Sequence, residues 1–315
     1  MQPILYIVVP CYNEEAVLNE TNRRLTDKLE RMISSDSISS SSRILYINDG
    51  SKDRTWETIT ELNSLSTYSC GVCLSRNRGH QNALLAGLMV AKDYADIVVS
   101  MDADLQDDIE VLDQFVERYK EGAEIVYGVR SSRKKDSAFK RGTAHMFYRL
   151  MHSMGVELVS DHADYRLMSR RAIEALERFD EVNLFLRGIV PMIGFKTATV
   201  EYERGVRYAG ESKYPLHKMI LFAIEGITSC SVKPLRMITS IGLLISLISI
   251  IMLVRVFLGY FVGDTVTGWP TLMVSLFFLG GFQIFALGIV GEYIGKIYLE
   301  VKHRPKYIIS NILLK

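Results

Sequence analysis

The rhythm of apolar positions changes twice along the chain. Up to residue 130, short apolar runs alternate with longer stretches of helical spacing. Residues 4–10, 44–47, 71–74, 96–101 and 125–129 read as buried strands, being brief, β-branched and bounded by turn residues. Residues 15–33, 55–65, 82–94 and 109–120 read as helices, with Val17, Leu18, Leu25 and Leu29 marking the apolar stripe of the first. The serine-rich stretch 34–42 reads as a mobile loop. Strands alternating with helices imply an α/β fold with a doubly wound, mostly parallel sheet. Such sheets bind ligands beyond the C-terminal ends of their strands.

After residue 130 the pattern loosens. Arg130, Arg133, Lys134, Lys135, Lys140 and Arg141 make a basic stretch, followed by a predicted helix over 138–154. Residues 214–231 alternate Leu216, Met219, Ile220, Phe222 and Ile227 with Lys218 and Glu225, the pattern of an amphipathic helix lying at a membrane interface. Two long uncharged runs then appear, 237–254 and 271–291, each long enough for a helix to cross a bilayer. Arg255 interrupts the apolar pattern, which goes on to Val262, and a snorkelling side chain accommodates it.

The connector 263–270 holds Asp264 and no Lys or Arg. Lys233 and Arg236 precede the first run, and Lys296, Lys302, Arg304 and Lys306 follow the second. The positive-inside rule therefore predicts a two-span protein of the cell membrane, with the large N-terminal domain and the C-terminus both cytoplasmic. The expected organisation is a catalytic domain over 1–212, an interfacial helix over 213–234, a transmembrane hairpin over 235–295 and a tail over 296–315.

A net charge of +1 offers no global basic field for nucleic acid. Cys70 and Cys73 have redox-motif spacing but fall inside a predicted strand, so they read as structural. Neither GxGxxG nor a P-loop lysine motif occurs.

Three polar motifs sit at predicted strand ends: Pro10-Cys11-Tyr12-Asn13-Glu14, Asn48-Asp49-Gly50-Ser51 and Asp102-Ala103-Asp104-Leu105-Gln106-Asp107. Carboxylates this closely spaced repel one another unless a cation lies among them. Asp104 and Gln106 are the leading ligands for Mg²⁺ or Mn²⁺, with Asp102 a candidate third. Asp107 or Asp108 suits an N-cap for the following helix.

These motifs, together with Leu74-Ser75-Arg76-Asn77-x-Gly79, resemble family 2 inverting glycosyltransferases of the GT-A fold. Asp164-Tyr165-Arg166-Leu167-Met168, Arg207-x-x-Gly210-x-Ser212-Lys213, the paired apolar runs and Gly291-Glu292-Tyr293-Ile294-Gly295 extend the resemblance to the polyprenyl-phosphate glycosyltransferases, which include bactoprenol glucosyltransferases and dolichol-phosphate mannose synthases. Two positions depart from that pattern. Gly79-His80-Gln81 replaces a frequent Gly-Lys-Glu, and Ala163 stands where Gly usually precedes the Asp of the Asp-aromatic-Arg-Leu motif.

The resemblance implies metal-dependent transfer of one hexose, glucose first and N-acetylglucosamine second, from a UDP-sugar to polyprenyl (undecaprenyl) phosphate. It implies that Pro10, Tyr12 and Glu14 line the nucleoside pocket, with Asp49 accepting a uracil N–H and Asp102 also meeting the donor. Arg130, Lys140, Arg141, Arg207 and Lys213 are candidates for the acceptor phosphate. Asp164, beside Asp102 and Asp104, is the third expected catalytic carboxylate, either as base or as an orienting group. A processive polysaccharide synthase is disfavoured, because Trp56 and Trp269 do not form a Gln-x-x-Arg-Trp motif. A silent sugar-nucleotide-binding membrane protein is disfavoured by the intact acidic motif. Gly280, Gly281 and Gly288 permit close helix packing, within one chain or in a homo-oligomer.

Overall fold

In a computed structural model of the chain, β1 (Leu5–Cys11) occupies the middle of an eight-stranded sheet. The structure describes residues 2–130, 151, 153–155, 162–203, 205, 224, 226–229, 231–262 and 268–315. The other strands are β2 (Arg43–Asn48), β3 (Ser69–Leu74), β4 (Ile97–Ser100), β5 (Ile125–Arg130), β6 (His162–Ser169), β7 (Thr197–Tyr202) and β8 (Ile309–Leu313). Their order is β7-β5-β6-β4-β1-β2-β3-β8. β1 pairs in parallel with both β2 and β4, β2 with β3, and β5 with β7. Only β6 and β8 run antiparallel to their neighbours, so the sheet is mostly parallel, as the alternation of patterns predicted.

Alternation along β1 divides the core. Leu5, Ile7, Val9 and Cys11 face one layer, which contains Leu18, Leu25 and Leu29 of helix α1 (Glu15–Ser34) and Phe115 of α4 (Leu112–Lys120). Tyr6 and Val8 face the other, with α3 (His80–Ala91), α5 (Arg170–Glu177) and α6 (Leu186–Met192). Helix α2 (Thr55–Leu65) sends Ile59 into the first layer. Both faces are therefore covered, which is why the parallel strands read as continuous apolar runs rather than alternating ones.

The serine-rich segment is a loop, as its composition predicts, with two residues anchored in the domain. Ile38 and Ser42 are buried, and the Ser42 hydroxyl accepts the Leu5 N–H at 3.0 Å. The expected helix over 109–120 begins as a 3-10 turn, Ile109–Val111, capped by Asp108, whose side chain accepts from the Glu110 N–H. The redox-spaced pair lies within β3, where Cys70 is buried and the Asn48 amide donates to the Cys73 sulfur at 3.2 Å. Most of the expected helices over 138–154 and 214–231 lies outside the described residues, as does residues 263–267 of the connector.

The two apolar runs form single long helices, α7 (Lys233–Val262) and α8 (Trp269–Val301). Both are long and apolar enough to cross a membrane. Tyr293 donates its hydroxyl to the Ser231 carbonyl at 2.6 Å, so the start of α7 and the last third of α8 meet. The chain then returns to the sheet, where β8 pairs with β3 and supplies its outer edge. Residues of the expected tail thus belong structurally to the N-terminal domain.

The loop after β2 must pass very close to the loop after β3. Gly50 lies at φ +61°, and a Cβ there would sit 2.5 Å from the Arg76 carbonyl carbon and 2.5 Å from the Asn77 nitrogen. Both the positive φ and the contact with backbone forbid a side chain. Replacing Gly50 with alanine will therefore destabilise the domain by about 2 kcal/mol or more, lowering Tm by roughly 5 °C in a thermal melt.

Candidate active site

The site is assembled from loops at one edge of the sheet. The loop after β1 is knitted to the loop after β2: the Asn13 N–H donates to Ser51 Oγ, the Glu14 N–H to Thr55 Oγ1, and the Lys52 N–H to Asn13 Oδ1. Asn13 adopts φ 56°, a left-handed turn that asparagine tolerates. Pro10 ends within β1, Tyr12 is exposed above it and Glu14 stands at the entry to α1. The three expected nucleoside-pocket residues therefore share one rim.

Asp49 has a structural task in addition to the contact expected of it. It is buried, and its two oxygens accept the backbone N–H groups of Arg78 and Gly79 at 2.7 and 2.9 Å. Burial raises its pKa, while those two hydrogen bonds and the His80 charge work against the rise. Asp49 thus ties the loop after β3 to β2 and fixes the start of α3.

The acidic motif follows β4. Thr21 donates its hydroxyl to the Ala103 carbonyl at 2.8 Å, anchoring the loop to α1. Asp104 is buried and accepts the Gln106 N–H at 3.1 Å, a local turn that accompanies the left-handed Leu105 at φ 57°. Asp107 is also buried and receives the Tyr202 hydroxyl at 2.6 Å. Desolvation and the Asp102 charge push Asp107 up to about 6, despite that hydrogen bond and the Arg130 charge. Burial and the Asp107 charge raise the Tyr202 phenol. Arg130 therefore faces the acidic loop from the end of β5. Lys140, Arg141, Arg207 and Lys213 lie outside the described residues.

Antiparallel β6 brings the third carboxylate to the same place. Its register pairs Arg166 with Ser100, and extending it by two positions sets Asp164 opposite Asp102. The Ser100 hydroxyl donates to the Asp164 carbonyl at 2.5 Å, locking that register. His80 stands between the two acids, with Nε2 at 3.8 Å from Asp102 Oδ1 and 3.5 Å from Asp164 Oδ2.

Asp164 is the most heavily engaged group of the site. Arg187 reaches it from α6 with two parallel hydrogen bonds, Nε to Oδ1 at 3.2 Å and Nη2 to Oδ2 at 3.0 Å. Fully buried Arg166 adds a third, Nη2 to Oδ1 at 3.1 Å. Burial alone would raise the Asp164 pKa. The His80 hydrogen bond and the charges of Arg187 and Arg166 outweigh it and hold the carboxyl well below the usual range. Desolvation draws His80 down, but Asp164 and Asp102 more than compensate and raise it. Asp102 is itself raised, by desolvation and by the Asp164 and Asp104 charges, against the pull of His80.

That mutual repulsion is the observation relevant to a metal. Among the described residues, no three His, Cys, Asp or Glu side chains are gathered as a ready-made cage. Asp102, Asp104 and Gln106 nevertheless offer an all-oxygen set of low protein count, the type that suits an ion whose remaining ligands are substrate phosphates and water. The residues present fit the group.

Arg187, His80 and Gln81 were not singled out as site residues from sequence. The signal for Arg187 is a lone charge inside the apolar stretch Leu184-Phe185-Leu186-Arg187-Gly188-Ile189-Val190. His80 and Gln81 were visible only as departures from a family pattern. Gln81 still presents an acceptor oxygen, taking the Leu186 N–H at 2.8 Å.

Comparisons with known proteins identify the family. A model described as glycosyl transferase family 2 matches residues 6–177. The glycosyltransferase YkoT of Bacillus subtilis (strain 168) is 53% identical, over 98% of this chain and 92% of its own. The bactoprenol glucosyl transferase of Shigella phage SfV is 41% identical, over 97% of this chain and 97% of its own. Among solved structures, mannosyl-3-phosphoglycerate synthase from Rubrobacter xylanophilus aligns with a TM-score of 0.48 and 17% identity, covering 75% of this chain and 74% of that one. With the family pattern running from β1 through β6 and including the acidic loop, and with relatives matched along nearly the whole length, this chain belongs to glycosyl transferase family 2.

Proposed function

We propose that the protein transfers one glucose from a UDP-sugar to the phosphate of a polyprenyl lipid at a membrane surface. The observation that carries this reading is the convergence of Asp102, Asp104 and Asp164 at one sheet edge, with His80 between two of them. Relatives named as bactoprenol glucosyl transferases support the sugar and the acceptor. Support for the membrane comes from α7 and α8, where Leu243, Leu247, Ile251, Leu276, Phe285 and Leu287 are exposed. At 30 and 33 residues the helices extend about 45 and 50 Å, more than a bilayer core of about 30 Å requires. Because the start of α7 meets the last third of α8, the domain and the returning chain belong on the same side, which agrees with the cytoplasmic placement argued from charge.

Asp102, Asp104 and Gln106 would hold Mg²⁺ or Mn²⁺. Such an ion supplies Lewis-acid stabilisation of the charge that develops on a departing diphosphate. Tyr12 and Glu14 would flank the nucleoside, and Asp49 keeps their loop and the start of α3 in register. Any uracil contact by Asp49 would use the lone pairs its two backbone donors leave.

Asp164 is poorly suited to accept a proton. Its carboxyl is held well below the usual range by the His80 hydrogen bond and the Arg187 and Arg166 charges, which makes it a weak base. The acceptor does not need one: a phosphate monoester has a second pKa near 6 and is largely dianionic at neutral pH. Asp164 therefore orients a sugar hydroxyl and fixes His80 beside Asp102. Direct in-line attack inverts the anomeric centre.

Incubating the purified protein with labelled UDP-glucose, Mn²⁺ and polyprenyl phosphate will yield one β-linked glucose per lipid, with UDP-N-acetylglucosamine as the competing donor. An α-linked product, a polymer or no transfer would refute the reading. Chelation will abolish transfer, and D104A combined with Q106A will lower kcat by at least about a hundredfold. Normal turnover in that variant would remove the metal from the mechanism. D164N will lose roughly a hundredfold in kcat by the same factor from pH 6 to 9; recovery as pH rises would show instead that Asp164 accepts a proton.

A further inference from the structure

The far end of α8 makes a contact that the transfer reaction does not account for. Glu300, in its last turn, accepts hydrogen bonds from the backbone of the loop between α5 and α6. The Val182 N–H lies 2.9 Å from both carboxylate oxygens, and the Asn183 N–H and side-chain amide lie 3.0 and 3.1 Å from Oε1. A carboxylate that gathers several N–H groups of one loop makes charge-assisted bonds, about twice as strong as neutral ones, and fixes the loop's backbone.

That loop leads directly into the residues that hold Asp164. Phe185 and Leu186 are buried, the Leu186 N–H donates to Gln81, and Arg187 then makes its bidentate contact. α6 has only seven residues, so its direction is set by what fixes its ends rather than by its own stability. One end is pinned by the Gln81 amide, next to His80, and the preceding loop by Glu300. Both pins bear on the same carboxylate, one through His80 and one through Arg187.

We infer that Glu300 is a positioning residue: by clamping the loop at Val182 and Asn183 it aims Arg187 at Asp164, so that catalytic geometry depends on the seating of the long apolar helix. The inference rests on Asp164 belonging to the reacting centre. A helix about 50 Å long is able to cross a bilayer and still project its final turns to the domain. Tyr293 and Lys296 already contact residues 231 and 229 on that projecting part. Among the described residues the Glu300 carboxylate bonds to Val182 and Asn183 of that loop and to neither Arg187 nor Asp164, so the connection transmits position. Small displacements are enough to matter, because a catalytic group misplaced by about 1 Å costs up to a hundredfold in rate.

The test is a double-mutant cycle in the full-length protein reconstituted in lipid nanodiscs. E300A will lower kcat about tenfold while the donor KM stays within about twofold, and R187A will lower kcat about a hundredfold. If Glu300 acts through Arg187, the double variant will match R187A; losses that multiply to about a thousandfold overturn the inference. E300Q retains one acceptor oxygen and will keep most of the rate, and a loss as large as that of E300A would overturn the inference; E300M, which keeps the side chain's length without an acceptor, runs the same cycle if E300A does not fold. Hydrogen exchange at the amides of Val182 and Asn183 will accelerate in E300A. K306M removes a neighbouring contact of the returning chain, Lys306 to the Phe179 carbonyl. It will leave kcat near the starting value, and an equal loss there would mean general docking of the chain rather than positioning by Glu300. A silent D164N with coupled E300A and R187A would count against the catalytic reading; an inactive D164N with additive losses would count only against this one.

Discussion

The active edge depends on keeping the Asp164 carboxylate ionised at a place where two other acids already crowd. Taken alone, a carboxyl in that position would be driven toward its neutral form. Arg166, Arg187 and His80 reverse the balance, and each comes from a different element: β6, α6 and α3. Arg166 is fully buried, and its retention there costs desolvation that Asp164 helps offset. Removing the carboxylate would take from that guanidinium its hydrogen-bonded counter-ion, so the acid and the core are mutually dependent. The remainder of the site is arranged around this point. His80 reaches it because Asp49 pins the start of α3, and Asp102 faces it because β6 runs antiparallel to β4.

Reversal of one strand is what brings Asp164 to the edge where the loops of the parallel strands gather. Parallel strands bring their C-terminal loops to one edge, which accounts for the motifs after β1, β2 and β4. A residue near the beginning of a strand joins that edge only when the strand runs the other way. β6 does so, and it places Asp164 and Arg166 on the register of Ser100 and the acidic loop.

Much of the first half was legible because its physics is local. Buried strands such as Ile44 to Ile47 and amphipathic helices such as α1 announce themselves by periodicity, and Asp49-Gly50 marks a tight turn. The two long helices were equally plain from uncharged length. What sequence did not disclose were relationships set by tertiary pairing. β6 is not apolar throughout, carrying His162, Asp164 and Arg166, and thus lacks the signature of a buried strand. β8, with Ser310 and Asn311, is an edge strand whose partner is chosen by chain return rather than by composition. Arg187 looked like a stray charge in an apolar stretch until α6 was seen to deliver it to Asp164. The serine-rich segment reads correctly as a loop, but its polar composition does not disclose that Ser42 is a buried hydrogen-bond acceptor.

The strand that closes the sheet is made after both long helices. While the ribosome is still working, β3 presents an unpaired rim, and its natural cover does not yet exist. Completion of the sheet therefore waits on synthesis of both long helices. A nascent protein stalled before that point would keep a sticky border exposed to neighbours and proteases. In this way the sheet is finished only when nearly the whole chain has been made.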